Sequence, residues 1–250
     1  MIVTPIRTKV IRSGSIALRA LLDECLDSLD EGSILAITSK IVSLCEGNTV
    51  PIGSIEKAEL IEQQSSYYLP NHFSKYGYRF TITKGTLIAT AGIDESNGGG
   101  NYILWPKDPQ ASVNMVRTYL QTRFGVKKVG VIITDSASKP TRFGTVGIAL
   151  AHSGFKALRS YIGQPDLFGK LFSVSRANIA EGLAAAAVVA MGEGAQQTPL
   201  VLISGADFVE FQDRNPSTEE LSELRVSIED DFFEPFLNSV GWQPGGQKTL

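Results

Sequence analysis

The sequence predicts an α+β protein in which helices and mixed strands build one interwoven unit. Short apolar runs bounded by turn residues alternate with segments whose apolar side chains recur every three or four positions, over almost the whole chain. No linker rich in Gly, Pro or Ser divides the 250 residues, and a chain of this length forms one large domain or two small ones. We therefore predict a single unit over residues 1–250.

The N-terminal third contains two predicted helices and a strand. Residues 17–29 carry apolar side chains along one helical face, and Gly32 ends that helix. Ser33–Thr38 is short, apolar and bounded by turn residues, which indicates a buried strand. Its far end delivers Ser39 and Lys40 into a polar loop. Residues 56–68 predict the second helix.

A hairpin and a capped helix follow. Residues 79–82 and 86–90 predict two strands joined across Lys84-Gly85, and Gly92 then opens a polar loop. Residues 108–124 begin with Asp-Pro, repeat apolar side chains at helical spacing and end before a glycine, so they predict a complete helix.

Two buried strands and a helix complete the predicted core. Residues 128–134 give the clearest strand, which ends directly on Asp135. Residues 176–191 predict a helix of small side chains that packs closely against a sheet, and residues 199–203 predict another buried strand. Beyond Asp207 the chain is acidic and aromatic, and its last residues are expected to fray.

Composition excludes several classes of function. A formal charge of -3 provides no positive field for a nucleic-acid backbone, so we expect no nucleic-acid partner. Cys25 and Cys45 are too few for a disulfide framework or a cysteine zinc site. No apolar stretch reaches the roughly 20 residues that span a bilayer, and no signal peptide is evident. We expect no membrane partner and a cytoplasmic protein.

Familiar catalytic devices are also absent from the sequence. The segment from Gly163 to Leu171 resembles a phosphate-binding loop, but five residues separate its glycines where four are needed, and leucine replaces the Ser or Thr that binds magnesium. His72 and His152 are the only imidazoles, and neither belongs to a metal or triad motif. We therefore expect no histidine-based catalysis.

The remaining candidate functional groups are carboxylate and hydroxyl oxygens on two loops. Asp94 and Asp135 each follow an apolar strand, and ligands of open α/β sheets bind beyond the carboxyl ends of strands. We expect the two carboxylates to share one crevice. Carboxylate and hydroxyl oxygens with phosphate are the ligands that Mg²⁺ or Mn²⁺ prefers.

The negative charges of the two carboxylates and a phosphate ligand favour a bound cation. Two carboxylates about 4 Å apart repel by roughly 4 kcal/mol at an effective dielectric constant near 20, so they face a polyphosphate only with a metal between them. Lys139 and Arg142, just beyond Asp135, are candidates to hold phosphate oxygens and stabilise charge during catalysis.

Each of these residues also has an ordinary structural explanation. Asp94 to Asn97 is good turn and cap material, and Asp135 follows a strand as many turn residues do. Ser39-Lys40 and the segment from Lys139 to Arg142 fit solvated turns equally well. Glu193 fits an exposed carboxylate, and the phenylalanines between residues 232 and 236 fit a core or a subunit contact.

The ordered motifs resemble those of the coenzyme F-420-0:L-glutamate ligase family. The resemblance runs from about Val3 to Ser204, and residues 205–250 look divergent. It is carried by the following segments: Thr38-Ser-Lys-Ile-Val-Ser43 with Glu46-Gly47, Ala91-Gly-Ile-Asp-Glu-Ser-Asn97, Thr134-Asp135 with Pro140 and Arg142, Gly163 with Asp166-Leu-Phe-Gly169, and the Ala-rich helix ending at Met191-Gly192.

This resemblance implies the fold particular to that family, with two interwoven subdomains and a homodimer. It implies a ligase that uses GTP and Mg²⁺ or Mn²⁺, with K⁺ as a further candidate ion, to join L-glutamate to a carboxylate on a deazaflavin phospholactate. Carried over by position, the metal ligands are Asp94, Asp135, Ser136 and Glu193, where relatives usually have threonine and glutamine at the last two. The implied nucleotide contacts are Pro5, Ile6, Arg7, Thr8, Ser39, Lys40 and Asn97.

Three departures from the family pattern bear on the acceptor. Leu44 and Ile162 replace a common lysine and arginine, and residues 63–70 replace a more basic stretch that often ends in arginine. Their loss suggests another carboxylate acceptor, such as a folate-like molecule, or a changed nucleotide preference. Two other functions stay open on the residues: a binding protein without turnover, and a metal-dependent phosphohydrolase.

Overall fold

The computed structural model describes residues 1–70 and 75–247. The strands are β1 (Ile2–Ile6), β2 (Ser33–Thr38), β3 (Thr49–Pro51), β4 (Tyr67–Tyr68), β5 (Phe80–Thr83), β6 (Thr86–Ala89), β7 (Asn101–Ile103), β8 (Val129–Ser138), β9 (Thr145–Ser153), β10 (Leu158–Ser160), β11 (Arg176–Asn178), β12 (Leu200–Ser204) and β13 (Gln243–Pro244). The helices are α1 (Leu18–Cys25), α2 (Ser39–Glu46), α3 (Lys57–Gln64), α4 (Pro109–Phe124), α5 (Ile179–Met191), α6 (Thr218–Ser222) and α7 (Glu234–Leu237).

A five-stranded sheet in the order β1-β12-β2-β8-β9 forms the centre of the molecule. Strands β2 and β8 run parallel, in register from Ser33 with Val129 to Thr38 with Thr134, and their neighbours are antiparallel. As a consequence, the carboxyl ends of β1 and β2, the middle of β8 at Thr134 and the amino end of β12 meet at one edge of the sheet. This edge carries the candidate site.

Helices cover both faces of the central sheet. Because side chains alternate along a strand, Leu35 and Ile37 of β2 pack with α1, α2 and α4, whereas Ile34 and Ala36 pack with α5. The α5 face is lined with alanines, and the helix approaches β9 so closely that a Cβ on Gly147 would lie 2.4 Å from the Ala184 carbonyl oxygen. The prediction of a small-residue helix packed on a sheet is met by this contact.

A smaller sheet in the order β13-β4-β5-β6 flanks the central one. Its β5–β6 hairpin turns at Lys84 and Gly85, which both have positive φ, as a two-residue hairpin loop requires. The last strand, β13, comes from the C-terminal segment and pairs with β4, and the Gly245 N–H donates to the Ser66 carbonyl at 2.8 Å. The expectation of a frayed terminus is therefore wrong for residues 243–247.

The α+β prediction is confirmed, and three local predictions are wrong. Residues 39–46 form α2 rather than a loop, because Thr38 caps the helix by accepting a hydrogen bond from the Ile41 N–H. Strand β8 continues past Asp135 to Ser138, because β9, which the sequence did not predict, pairs with it along that length. The helix predicted over residues 56–68 ends at Gln64, before β4.

Other predicted boundaries shift by several residues, since α1 ends at Cys25 and α5 begins at Ile179. The hairpin, α4, β2 and β12 lie where the sequence predicts them. In the part of the chain that the structure describes, no helix combines the length and the apolar character needed to cross a membrane.

Candidate active site

A cavity of about 240 Å³ opens at the edge where β1, β2, β8 and β12 meet. Its walls come from the chain after β1, the start of α2, the loop after the turn at residues 90–92, the middle of β8 and the segment between α5 and β12. Eight of the predicted site residues line it: Thr8, Ser39, Lys40, Asp94, Asn97, Asp135, Ser136 and Glu193. The expectation that Asp94 and Asp135 share one crevice is met.

The remaining predicted residues do not line this cavity. Pro5 and Ile6 lie in β1, where they pair with Val201 and Leu200, and Arg7 follows them. Lys139 and Arg142 lie on the exposed turn between β8 and β9, in which the Arg142 N–H donates to the Lys139 carbonyl at 3.3 Å.

The first wall of the cavity is the start of α2. Ser39 and Lys40 occupy the first turn of this helix, where backbone N–H groups lack intrahelical partners and the helix dipole favours negative charge. Phosphate groups bind in such places. Thr8, two residues after β1, borders the same space and is held by its N–H, which donates to the Gln197 carbonyl at 2.9 Å.

Asp94 is aimed into the cavity by an unusual turn. Thr90, Ala91 and Gly92 all have left-handed backbones, with φ of 54°, 55° and 70°, and the Ala91 N–H donates to the Thr81 hydroxyl at 3.0 Å. Non-glycine residues in this conformation store backbone strain, which commonly occurs at functional sites. Immediately afterwards, a backbone bridge to Ile103 fixes Asp94, with N–O distances of 2.7 and 3.0 Å.

The Asp94 carboxylate is paired with Lys40. Lys40 Nζ lies 2.6 Å from Asp94 Oδ2 and 2.9 Å from Ser96 Oγ, while the Ser96 N–H donates to Asp94 Oδ1 at 2.7 Å. Burial raises the pKa of Asp94, but the hydrogen bonds and the charge of Lys40 outweigh burial and lower the pKa overall. Asp94 is therefore an anion at neutral pH.

Asp135 has a different environment, although it faces the same cavity. It follows a register irregularity between Ile133 and Thr134, and the indole N–H of Trp105 donates to its Oδ2. The Ser136 N–H donates to its Oδ1 at 2.8 Å. Burial is the main cause that raises the pKa of Asp135 to about 6, and the negative charge of Asp94 adds to it. A cation beside Asp135 would relieve this cost.

Glu193 joins the site from the end of α5. Ser136 Oγ donates to one of its carboxylate oxygens at 3.3 Å, and Thr145 Oγ1 donates to the other at 3.1 Å. Asn97 Nδ2 donates to the neighbouring Gly194 carbonyl at 3.5 Å. These contacts connect the loop after Asp94, strand β8 and the end of α5 around one space.

The donor atoms suit Mg²⁺ or Mn²⁺, although they do not form a complete protein cage. Within residues 1–70 and 75–247, no three His, Cys, Asp or Glu side chains group closely enough to hold a metal by themselves. Mg²⁺ keeps several waters and binds through one or two carboxylates together with substrate phosphates. Asp94 and Asp135, with the Ser136 hydroxyl, provide that kind of partial site, and the Lys40 ammonium already pairs with Asp94.

Two neighbours of the site gave no signal in the sequence. Trp105 and Thr145 contact Asp135 and Glu193, but an aromatic residue before Pro106 and a threonine in an unpredicted strand look unremarkable in the sequence. His152 is buried in β9 away from the cavity, and His72 lies outside the described residues. Of the departures, Leu44 lines the cavity, whereas Ile162 is exposed elsewhere.

The model of the F420-0:Gamma-glutamyl ligase family matches residues 5–205. The chain belongs to this family. It is 35% identical over 194 residues to the coenzyme F420:L-glutamate ligase of Methanocaldococcus jannaschii, with 72% of this chain and 78% of that protein covered. It is 33% identical over 198 residues to the protein of that name from Methanopyrus kandleri, covering 71% and 76%.

A third relative of the same name, from Methanosarcina barkeri, is 40% identical over 129 residues, which cover 51% of this chain and 50% of that protein. The family match contains every residue that lines the cavity, from Thr8 to Pro199. The gamma-glutamyl ligase region thus ends just after β12. The segment that carries α6, α7 and β13 lies beyond the match.

Proposed function

We propose that this protein is a gamma-glutamyl ligase that depends on GTP and a divalent metal and joins L-glutamate to a carboxylate acceptor. The observation that carries the proposal is the shared cavity of Asp94 and Asp135, with Lys40 and the start of α2 beside them. Relatives named coenzyme F420:L-glutamate ligase, matched over most of their length, support the reaction class and glutamate as substrate.

Asp94, Asp135, Ser136 and Glu193 are the residues that would hold Mg²⁺ or Mn²⁺. The bound metal would neutralise charge on the nucleotide phosphates. The start of α2, with Ser39 and Lys40, would receive phosphate oxygens, and Thr8 and Asn97 border the same space. Pro5, Ile6 and Arg7 stay predicted as nucleotide contacts, and K⁺ stays a further candidate ion.

The proposed reaction has two steps. An acceptor carboxylate oxygen attacks the γ-phosphorus, the new O–P bond forms, and the bond to the bridging oxygen breaks as GDP leaves. The neutral amino group of L-glutamate then attacks the acyl carbon of this acyl phosphate. The amide C–N bond forms, the C–O bond to phosphate breaks as inorganic phosphate leaves with the bonding electrons, and the nitrogen releases its proton to solvent.

The chain's own contribution to this chemistry is positioning and electrostatics. No nucleophilic side chain is needed, because phosphate is the activating group. Lys139 and Arg142 stay predicted as charge stabilisers. Their exposed turn continues from the strand that carries Asp135 and lies outside the cavity walls.

The acceptor is proposed to be coenzyme F420-0 or a related carboxylate, with a folate-like molecule as the second choice. Leu44 is the departure that matters here, because it lines the cavity and places an apolar side chain there. The homodimer is proposed from the exposed arm of residues 158–178, whose Leu167 and Phe168 side chains are 98% and 95% exposed.

The test is a reconstituted reaction with GTP, Mn²⁺, L-glutamate and each acceptor in turn. We expect phosphate release that requires both glutamate and acceptor, and a product heavier by one glutamyl residue in mass spectrometry. Rapid GTP hydrolysis without acceptor would instead identify a phosphohydrolase. Nucleotide binding that depends on metal, without turnover on any acceptor, would identify a binding protein.

A further inference from the structure

Trp105 connects the two elements that carry the aspartates. Its side chain is 5% exposed and packs with Ile88, Ala137 and Ile148 from β6, β8 and β9. From there, its indole N–H donates to Asp135 Oδ2. Trp105 does not line the cavity that Asp94 and Asp135 share, so its indole contacts Asp135 from the side away from that cavity. It forms instead part of the wall of a second cavity of about 300 Å³.

The same indole fixes the turn before Asp94. A Cβ built on Gly92 would lie 2.2 Å from Trp105 Nε1 and Cε2, so the glycine backbone sits directly against the ring edge. Gly92 also has a φ of 70°, and it precedes Asp94 by two residues. Only glycine fits both the ring contact and the backbone conformation.

The backbone of Trp105 is anchored as well. Asn48 Nδ2 donates to its carbonyl at 2.7 Å, and the N–H of the preceding Leu104 donates to the Asn48 carbonyl at 3.3 Å. The ring therefore has little freedom. With Oδ2 bonded to the indole and Oδ1 bonded to the Ser136 N–H, the Asp135 carboxylate has one orientation.

We propose that Trp105 is a positioning residue that holds the Asp135 carboxylate and the Gly92–Asp94 turn in the mutual geometry needed to bind one divalent cation. This inference rests on the proposed function, because it takes Asp94 and Asp135 as ligands of the metal. Hydrogen bonds to a metal-binding carboxylate orient it, and their removal commonly weakens metal affinity about 10- to 100-fold.

The first test measures Mn²⁺ binding by the electron paramagnetic resonance signal of free Mn²⁺ at one fixed GTP concentration, with and without the protein, because GTP alone also binds Mn²⁺. Trp105→Phe keeps an aromatic ring but removes the N–H donor, and we expect its Mn²⁺ dissociation constant to rise about 10- to 100-fold. Trp242→Phe is the matched control, because its indole donates to the Leu237 carbonyl in the C-terminal segment. We expect this variant to bind Mn²⁺ like the unaltered protein.

Activity provides a second readout that a purely structural role would not produce. High Mn²⁺ concentrations should restore most of the kcat of Trp105→Phe, because the defect lies in metal affinity. Unaltered Mn²⁺ affinity in a folded Trp105→Phe protein would overturn the inference and leave the proposed function standing. If the unaltered protein binds no Mn²⁺ in the presence of nucleotide, this inference and the proposed function are both contradicted.

A spectroscopic measurement keeps the inference testable if Trp105→Phe folds poorly. In the Trp242→Phe protein, Trp105 is the sole indole, and its ¹⁵N–¹H resonance reports the hydrogen bond to Asp135. We expect this resonance to shift when Mg²⁺ and GTP bind and to broaden when Mn²⁺ replaces Mg²⁺. An indole resonance that stays unchanged at saturating metal would overturn the inference.

Discussion

Asp94 and Asp135 line one cavity, but their surroundings shift their pKa values in opposite directions. Lys40 and Ser96 stabilise the charge on Asp94, whereas burial and the Asp94 charge raise the pKa of Asp135 to about 6. A folded protein gains nothing in stability from placing a carboxylate where its charged form is disfavoured. Such a placement is typical of groups that bind a cation or take part in catalysis.

We expect Asp135→Asn to lose nearly all ligase activity and keep the fold. In its proposed role as a metal ligand, Asp135 would contribute several kcal/mol to transition-state stabilisation, so the rate should fall at least about 100-fold. Asparagine has nearly the same shape, and its amide oxygen can still accept one of the two N–H groups, from Trp105 or from Ser136, that the carboxylate accepts. Phosphate release and circular dichroism melting measure the two effects. Asp207→Asn, at an exposed position, is the control, and unchanged turnover of Asp135→Asn would contradict the assigned role.

The position of these two carboxylates was accessible from the sequence, but their surroundings were not. The shared crevice was predicted from the rule that ligands bind beyond strand ends, and the crevice is present for a different reason. Asp135 lies within β8, which continues to Ser138, and Asp94 follows the turn after β6 of the small sheet. The Trp105 contact depends on a long-range packing arrangement between β6, β8 and β9 that local patterns do not encode. The Lys40–Asp94 pair likewise joins residues far apart in the chain.

His152 is expected to make stability depend on pH. Burial lowers its pKa from 6.5 to about 4, and its ring packs edge-on to Phe155 at 5.2 Å. Because the folded pKa lies below the unfolded one, the stabilisation is complete above about pH 6.5 and is lost as the pH falls towards 4. The shift corresponds to about 3 kcal/mol over that window.

His152→Gln removes the titrating group at this buried position and so isolates its contribution. The variant is expected to be less stable than the unaltered protein at pH 7, and the difference in free energy of unfolding should shrink as the pH falls from 6.5 to 4. Urea unfolding at a series of pH values measures this difference. A difference that stays constant over the window would contradict the titration of a buried neutral histidine.

At the scale of elements, the predictable parts are those with local start and stop signals. Helix α4 begins with an Asp108 cap and Pro109 and ends at Gly125, and the structure has those bounds. The sequence did not distinguish helix α2 from strand β2, because a mostly apolar stretch covers both elements. Only Thr38 marks the boundary where the strand ends and the helix begins. Strand β9 combines β-branched Thr145, Val146 and Ile148 with one glycine and two alanines, which weaken the strand signal, and pairing with β8 fixes its conformation.

The contact between α5 and β9 leads to a prediction for a matched pair of glycines. Gly147→Ala places a methyl group 2.4 Å from the Ala184 carbonyl and 2.7 Å from Val188 Cβ, so it should destabilise the fold by roughly 1–3 kcal/mol. Gly182→Ala, on the exposed side of α5, meets nothing within 4 Å and should stabilise the helix by up to about 1 kcal/mol. Urea unfolding measures both, and equal effects would contradict the close packing.

On the scale of the whole molecule, the C-terminal segment links the central five-stranded sheet to the four-stranded sheet that flanks it. Asn215 Oδ1 accepts hydrogen bonds from Ser153 and Arg117 beside the central sheet, each at 3.0 Å, and β13 then joins the small sheet at β4. The segment lies outside the family match, yet it contacts both parts of the fold that build the site. It therefore contributes to the scaffold rather than to the cavity walls, all of which precede it.

The arm of residues 158–178 gives a prediction about assembly. Its tip is shaped by Asp166, whose carboxylate accepts the N–H groups of Phe168 and Lys170 at 2.8 and 2.9 Å, so Leu167 and Phe168 point into solvent without supporting the protomer. Adjacent exposed apolar side chains on a projecting arm are typical of a subunit contact, and the proposed occupant is a second copy of the chain. We expect the protein to sediment with twice the 27.0 kDa mass of one chain.

Replacing both tip residues with Leu167→Asp and Phe168→Asp should convert this dimer to a folded monomer. Burying two charges in an apolar contact is unfavourable by several kcal/mol, whereas the same charges on a solvated arm cost little. Val226→Asp is the matched control, because Val226 is an exposed apolar residue outside both the arm and the cluster of exposed phenylalanines at residues 232–236, and this variant should stay dimeric. Analytical ultracentrifugation at several concentrations decides between the two states. A double variant that remains a dimer would place the interface elsewhere, and an unaltered protein that sediments as a monomer would contradict the homodimer itself.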